Sequence, residues 1–235
     1  MQMFDINKHR FFLVKILKDI YADPLLSVSL GFKGGTSLMF FYDLPRFSTD
    51  LDFDLLMEGN QSEVFKKIRK IVRKYGKIHD EAEKFFGLLI VLDYGAGERK
   101  LKIEISNRLF ENRYEIKNLL GFNVKVMTQP YLFAHKLCAL LDRPAIANRD
   151  IFDTWFFMHN QTPLNKQIVE YRMKLSLPEY INKCIIYLDQ TKDRKLLDGL
   201  GELLDDELKK FVRLKLREET IELLEFYKKY PILDE

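Results

Sequence analysis

The hydrophobic spacing of this chain changes character once, near residue 128, and that break constrains the fold more than any other feature. Before it, period-two segments are interspersed with helical stripes. After it, only helical spacing remains. Phe11, Phe12, Val14, Ile16, Leu17 and Ile20 predict a first helix, with Asn7 as its N-cap and Pro24 as its end. Residues 25–32 read as a short buried strand, and residues 36–42 as a short helix after Gly34-Gly35. Leu51, Phe53 and Leu55 alternate with Asp50, Asp52 and Asp54, which is strand periodicity. Residues 62–75 carry an apolar helical face opposite a basic one. Residues 86–94 and 99–106 read as strands joined by a hairpin-like turn over Gly95-Ala96-Gly97-Glu98, and residues 122–127 as a further strand. Beyond Pro130 come helical patterns at 131–141, 149–158, 166–175, 178–188 and 205–230. This order predicts an α+β domain over residues 1–128 and an all-helical domain over 129–235.

Composition narrows the class. In 235 residues, apolar types make up 47% and 19 residues are Phe, enough to build a real core and to set global disorder aside. Lys and Arg number 38 against 35 acidic residues, a net charge of +3. That balance gives no bulk signal for nucleic acid, so any such binding has to come from local patches. Cys138 and Cys184 lie in apolar, helical-looking segments and form neither a disulfide framework nor a zinc site, which fits a reducing cytoplasm. Asp5, Lys8, Arg10, Lys15 and Lys18 interrupt the first 19 residues, so no signal-peptide core is expected there. The longest apolar stretch, residues 85–92, is too short to cross a bilayer, and no membrane partner is expected.

The chemistry concentrates in the acidic strand. Alternation places Asp50, Asp52 and Asp54 on one face, where three like charges repel one another. Mg²⁺ or Mn²⁺ would relieve that repulsion by accepting one or two carboxylates together with phosphate oxygens. The alternative is a solvent-facing strand with polar alternation. Asp50 and Asp52 are the leading ligands, with Asp54, further down the strand, a weaker candidate. Upstream, Gly34-Gly35-Thr36-Ser37 opens a helix after a strand, where backbone N–H groups and two hydroxyls can meet a phosphate. The turn lacks the Gly-Lys-Ser/Thr element of a P-loop. Glu104 lies between Ile103 and Ile105 on a later strand; it is either a third acid of a metal site or half of an exposed face with Lys102.

One lysine is out of place. Lys136 has Leu132, Phe133, Ala139 and Leu140 three and four positions away, so it lies on an apolar helical face. It either meets an anion, such as a phosphate of a nucleoside triphosphate, or snorkels at a domain seam. On the next helix Asp150 and Asp153 sit beside aromatic residues and need a partner, which Lys136 or Arg149 could supply. Asp150 could equally cap its own helix.

Taken together, Lys33-Gly34-Gly35-Thr36-Ser37-Leu38 and Arg46-Phe47-Ser48-Thr49-Asp50-Leu51-Asp52-Phe53 resemble the AbiEii/AbiGii-type nucleotidyltransferase toxins, which include the MenT-type toxins. Lys102-Ile103-Glu104-Ile105-Ser106, Ala134-His135-Lys136-Leu137-Cys138-Ala139-Leu140 and Arg149-Asp150-Ile151-Phe152-Asp153 resemble further stretches of that family, in its order, so the likeness spans residues 33 to about 158. The resemblance implies a polymerase-β-like core with a mixed sheet, followed by helices. It implies that Asp50 and Asp52 bind metal, and that Arg46, Ser48 and the Gly34-Gly35-Thr36-Ser37 turn contact the triphosphate. It implies that Lys136 and one of Asp150 and Asp153 are required. A cognate antitoxin and, for MenT-like members, nucleotide addition to the tRNA 3′ end are implied too. The third acid of such folds is often Asp and is Glu104 here.

The mechanism expected from these residues is transfer of a nucleoside monophosphate from a metal-bound triphosphate, with Asp50, Asp52 and Glu104 around the metal and Lys136 offsetting charge on the leaving pyrophosphate. For RNA, Lys66, Lys70, Arg73, Lys74 and Lys77 form one basic stripe, and Lys209, Lys210, Arg213, Lys215 and Arg217 a second cluster. Two other readings share these residues. One is a small-molecule nucleotidyltransferase of the aminoglycoside-modifying kind. The other is a non-catalytic module whose Asp strand holds a structural ion.

Overall fold

The computed structural model describes residues 4–57, 59–95, 98–108, 110–142 and 147–234. They divide into two compact units: one runs to Asp43 and resumes over Phe47–Met127, and the other joins Leu44–Arg46 to the chain from Thr128 onward.

The first unit begins with α1 (Ile6–Ala22), and its N-cap is Asp5 rather than Asn7: the Asp5 carboxylate accepts from the Lys8 N–H at 2.9 Å. The buried side of α1 is His9, Leu13, Ile16, Leu17 and Ile20, whereas Phe11 is exposed, so the stripe lies further round the helix than the spacing predicted. Asp23 ends α1 and also caps α2 (Pro24–Ser29), accepting from the N–H groups of Leu25 and Leu26. Pro24 therefore opens a helix, where its missing N–H costs nothing. The strand expected over residues 25–32 shrinks to β1 (Leu30–Lys33). There follow α3 (Gly34–Phe41), β2 (Asp50–Leu55), α4 (Gln61–Val72), β3 (Lys77–Lys84), β4 (Gly87–Asp93), β5 (Leu101–Ser106), β6 (Tyr114–Leu119) and β7 (Phe122–Met127).

The strands form one seven-stranded mixed sheet in the order β3-β4-β5-β2-β1-β7-β6. β2 runs parallel to β5 and β1 parallel to β7; the other neighbours are antiparallel. The β4–β5 pair is the expected hairpin, although Ala96 and Gly97 of its turn lie outside the described residues. β3 and β6 were not expected. Both are edge strands, and edges tolerate the charged, one-sided sequences that hide a strand from periodicity. One face of the sheet buries Leu30, Phe32, Leu51, Phe53, Ile90 and Ile103 against α1 and α4. Each such side chain contributes about 1.5–3 kcal/mol. The opposite face carries Lys33, Asp50, Asp52, Asp54, Lys102 and Glu104 by alternation.

The described elements of the second unit are α5 (Gln129–Ala139), α6 (Asn148–His159), α7 (Lys166–Met173), α8 (Leu177–Asp189), α9 (Asp206–Leu214) and α10 (Leu216–Lys229), with two 3-10 turns and one isolated bridge between Leu164 and Leu233. The single helix expected over residues 205–230 is broken at Lys215, where φ is −136°. Neither Gly nor Pro marks that break, so local sequence did not announce it. Phe133 stacks on Phe157 at 5.0 Å, and the Tyr180 hydroxyl donates to the carbonyls of Leu137 and Cys138 at the end of α5. Cys138 and Cys184 are free, and burial pushes both thiols up to about 12. Among the described residues no helix is long and apolar enough to cross a membrane.

Candidate active site

The acidic face of the sheet and the glycine turn meet in the first unit. β1 delivers the chain into Gly34, whose φ of +81° is a conformation that side chains with a Cβ rarely adopt. A Cβ built there would fall 2.2 Å from Oδ2 of Asp52, so the absence of a side chain at Gly34 is what lets the Asp52 carboxylate lie against the turn. α3 starts at this point, and Lys33 at its N-cap makes no side-chain capping bond. Helix N-termini present N–H groups and a positive dipole end to an anion. Asp52 thus stands beside a place suited to phosphate.

Gly34→Ala imposes both a left-handed backbone on a Cβ-bearing residue and a clash with Asp52. The expected stability loss is about 1–2 kcal/mol. The expected activity loss is larger, roughly a hundredfold, because a shift of about 1 Å in a reacting group costs that much. Denaturant melts and single-turnover rates on the same sample separate the two.

The parallel pairing sets Asp50 opposite Lys102 and Asp52 opposite Glu104, so Glu104 is the cross-strand neighbour of Asp52 on the same face. Glu104 is exposed. Among the described residues no three His, Cys, Asp or Glu side chains form a cluster of metal-holding size. Asp50, Asp52 and Glu104 therefore share a face without making a closed cage. This donor set fits Mg²⁺, which takes one or two carboxylates and completes its shell with water and substrate phosphates.

Asp54 has another occupation. It is buried, receives the Lys33 ammonium at 2.5 Å, and accepts from the Tyr114 hydroxyl at 2.6 Å and the Asn112 amide at 3.1 Å. With three donors on it, Asp54 is the anchor for Lys33 and not a third arm of the carboxylate face.

The turn hydroxyls also point inward. Thr36 Oγ1 donates to the Asp50 carbonyl at 2.5 Å, and Ser37 Oγ donates to the Gly34 carbonyl at 2.8 Å; both side chains are fully buried. They brace the turn instead of supplying donors to a phosphate. Ser48 is buried as well, two residues ahead of Asp50.

His9, which the sequence reading passed over, is completely buried. Its Nε2 lies 2.8 Å from the Thr49 carbonyl, and its Nδ1 lies 2.6 Å from the Tyr94 hydroxyl. A carbonyl can only accept, so Nε2 carries the proton and Nδ1 accepts from Tyr94. Burial lowers its pKa against the opposing effect of the Thr49 bond, which keeps the ring neutral. A polar residue four positions before Leu13, on the buried side of α1, is the signal that could have marked it.

The second unit holds a separate charged cluster. Arg46 is 2% exposed and grips Asp153 with two bonds, Nε to Oδ1 at 2.6 Å and Nη2 to Oδ2 at 2.7 Å. Lys136 Nζ lies 2.9 Å from Asp150 and 2.7 Å from Asp153. Two cations and two carboxylates thus form a quartet in which Arg46, Asp150 and Asp153 are buried and Lys136 is 13% exposed. The sequence left open which aspartate partners Lys136; both do. Burial works against the Lys136 charge, but Asp150 and Asp153 outweigh it and raise its pKa. Burial likewise opposes the Asp153 carboxylate, yet Arg46 and Lys136 bring it down to about 2. Arg46 and Lys136 were expected at phosphates; here each is engaged by carboxylates inside its own unit.

A protein family described as nucleotidyl transferase AbiEii toxin, type IV TA system, matches residues 15–225. A search of curated proteins finds no match. Among solved structures, an H. pylori protein described as a candidate nucleotidyltransferase superposes with a TM-score of 0.64 at 21% identity, covering 96% of each chain. JHP933 from Helicobacter pylori superposes with a TM-score of 0.63 at 20% identity, covering 98% of this chain and 95% of that one. At these identities the likeness establishes a shared fold.

Proposed function

The chain belongs to the AbiEii nucleotidyltransferase toxin family, and from that premise we propose that it moves a nucleoside monophosphate from a triphosphate to the 3′ end of tRNA, with Asp50 and Asp52 as its metal-binding carboxylates. Membership makes the chain a nucleotidyltransferase of a type IV toxin–antitoxin system, with a triphosphate as substrate and an antitoxin as its counterpart. The observation that carries the rest is the Asp52 carboxylate lying against the Gly34 turn.

A divalent cation, Mg²⁺ or Mn²⁺, supplies charge neutralisation for the triphosphate when bound. Asp50 and Asp52 would hold it, and the N–H groups at the start of α3 would receive phosphate oxygens. Glu104, exposed and cross-strand from Asp52, would orient the attacking hydroxyl. The quartet of Arg46, Lys136, Asp150 and Asp153 acts as an internal brace, since a phosphate contact from Arg46 or Lys136 would have to give up an ion pair.

The RNA acceptor is supported by the MenT-like motifs and by the exposed Lys66, Lys70, Arg73, Lys74 and Lys77 on and after α4, of which Lys74 pairs with Asp19. In the other basic cluster Lys209 pairs with Asp206 and Arg217 with Asp193, which weakens its claim. Incubation with each labelled triphosphate, Mg²⁺ and total RNA, beside a parallel reaction with an aminoglycoside, tests the proposal. The expected result is label in a tRNA-sized band, falling steeply as salt rises. Label on the aminoglycoside alone, or on nothing, refutes the acceptor.

A further inference from the structure

We infer that His9, oriented by Tyr94, is a positioning residue that sets the entry of the carboxylate strand through the carbonyl of Thr49. The inference rests on the proposed metal role of Asp50 and Asp52.

The first paired residue of β2 is Asp50, opposite Lys102. Thr49 lies just outside the strand, and its buried backbone carbonyl needs a donor. Thr49 finds one in His9 Nε2, from α1, at 2.8 Å. The next carbonyl, that of Asp50, is taken by Thr36 Oγ1, from α3, at 2.5 Å. Two side chains from different helices therefore pin two consecutive carbonyls at the point where the acidic strand starts.

The donor is itself fixed. The Tyr94 hydroxyl on Nδ1 selects the tautomer with the proton on Nε2. Phe4 and Phe47 meet the imidazole edge-to-face, with ring centres 5.2 and 6.0 Å away, and Phe12 packs on Tyr94 at 4.4 Å. The ring has little freedom to turn, so its N–H sets both the direction and the height of the Thr49 carbonyl. A histidine serving only as core filler would need neither a second polar partner nor a bond to the residue next to a ligand.

The test uses His9→Phe, which keeps an aromatic ring without the donor, and His9→Gln, which restores an N–H. Tyr94→Phe loosens the ring without touching the Thr49 bond directly, and covers the case in which His9→Phe fails to fold. Mn²⁺ binding to the full-length protein, read as free Mn²⁺ by electron paramagnetic resonance, is measured alongside melting temperature. Asp52→Asn is the reference for the metal site, and Val64→Ala, in the buried face of α4, is the reference for simple loss of stability.

The expected result is a roughly tenfold weaker Mn²⁺ affinity in His9→Phe, the size seen when groups supporting a metal ligand are removed. A smaller loss is expected in Tyr94→Phe, and near-normal binding in His9→Gln and Val64→Ala. If Asp52→Asn weakens Mn²⁺ binding but His9→Phe and Tyr94→Phe do not, the positioning role is wrong and the metal assignment stands. Equal losses in His9→Phe, His9→Gln and Val64→Ala would reduce His9 to a packing residue. If Asp52→Asn leaves Mn²⁺ binding intact, the metal reading fails and this inference falls with it.

Discussion

Asp52→Asn is expected to slow nucleotide incorporation by roughly a thousandfold, the rate equivalent of the several kcal/mol that metal-assisted charge stabilisation contributes. The fold should not suffer. Asp52 shares its strand face with Asp50 and is the cross-strand neighbour of Glu104, and asparagine keeps its size and a hydrogen-bonding side chain, so the replacement leaves the packing of the strand intact. A nearly unchanged melting temperature, together with a collapsed rate, is the signature of a group kept for chemistry and not for the fold. Undiminished labelling of the acceptor would remove Asp52 from the reaction. Asp54→Asn should behave in the opposite way: it strips the Lys33 ammonium of its carboxylate partner and lowers stability.

The second large effect is expected from Asp153→Asn. Asp153 is fully buried and carries both Arg46 and Lys136. Without its charge, the buried Arg46 loses its bidentate partner and the mostly buried Lys136 keeps only Asp150. Removing one partner of a buried ion pair costs about 3–5 kcal/mol, because the charge left behind has no water to return to. For a chain of this size that is a fall of roughly 10 °C or more in melting temperature. The same cluster sets an acid limb in wild-type stability. The Asp153 carboxyl titrates at about 2 when folded, below its ordinary value of 3.8. Its contribution is therefore complete above pH 4 and is lost as pH falls through 2. Lys136 is displaced upward, so its share is complete below its ordinary value of 10.5 and lost only as pH rises through the higher folded value. In Asp153→Asn the stability difference from wild type should shrink as pH drops from 4 to 2. A difference that stays constant over that range would show that the quartet does not act through its charges.

Local sequence and tertiary context determine different elements of this fold. Elements with a strong apolar period and an ordinary context were legible: β2, the β4–β5 hairpin, β7, and α4 with Val64, Phe65 and Ile68 buried. So was the family, because the motifs that hold Gly34-Gly35, Asp50-Leu51-Asp52 and Lys136 resemble it in its order. Elements whose existence depends on a neighbour were not. β3 and β6 are strands because sheet edges were available to them, and Asp23 both stops α1 and starts α2, where a lone proline read only as a stop.

At the candidate site, residue types and spacing on the chain were enough to put Asp50 and Asp52 on one strand face and a glycine turn at a helix start, since strand alternation and the geometry of glycine follow from local backbone physics. Tertiary structure decided what each polar atom touches. It turned Thr36 and Ser37 inward, gave Asp54 to Lys33 and Tyr114, placed Lys136 between Asp150 and Asp153, and put the His9 N–H on the Thr49 carbonyl. A hydrogen bond or ion pair acts over about 3 Å between atoms that can lie a hundred residues apart. Periodicity reports which way a side chain faces, but only the folded chain brings its partner to it.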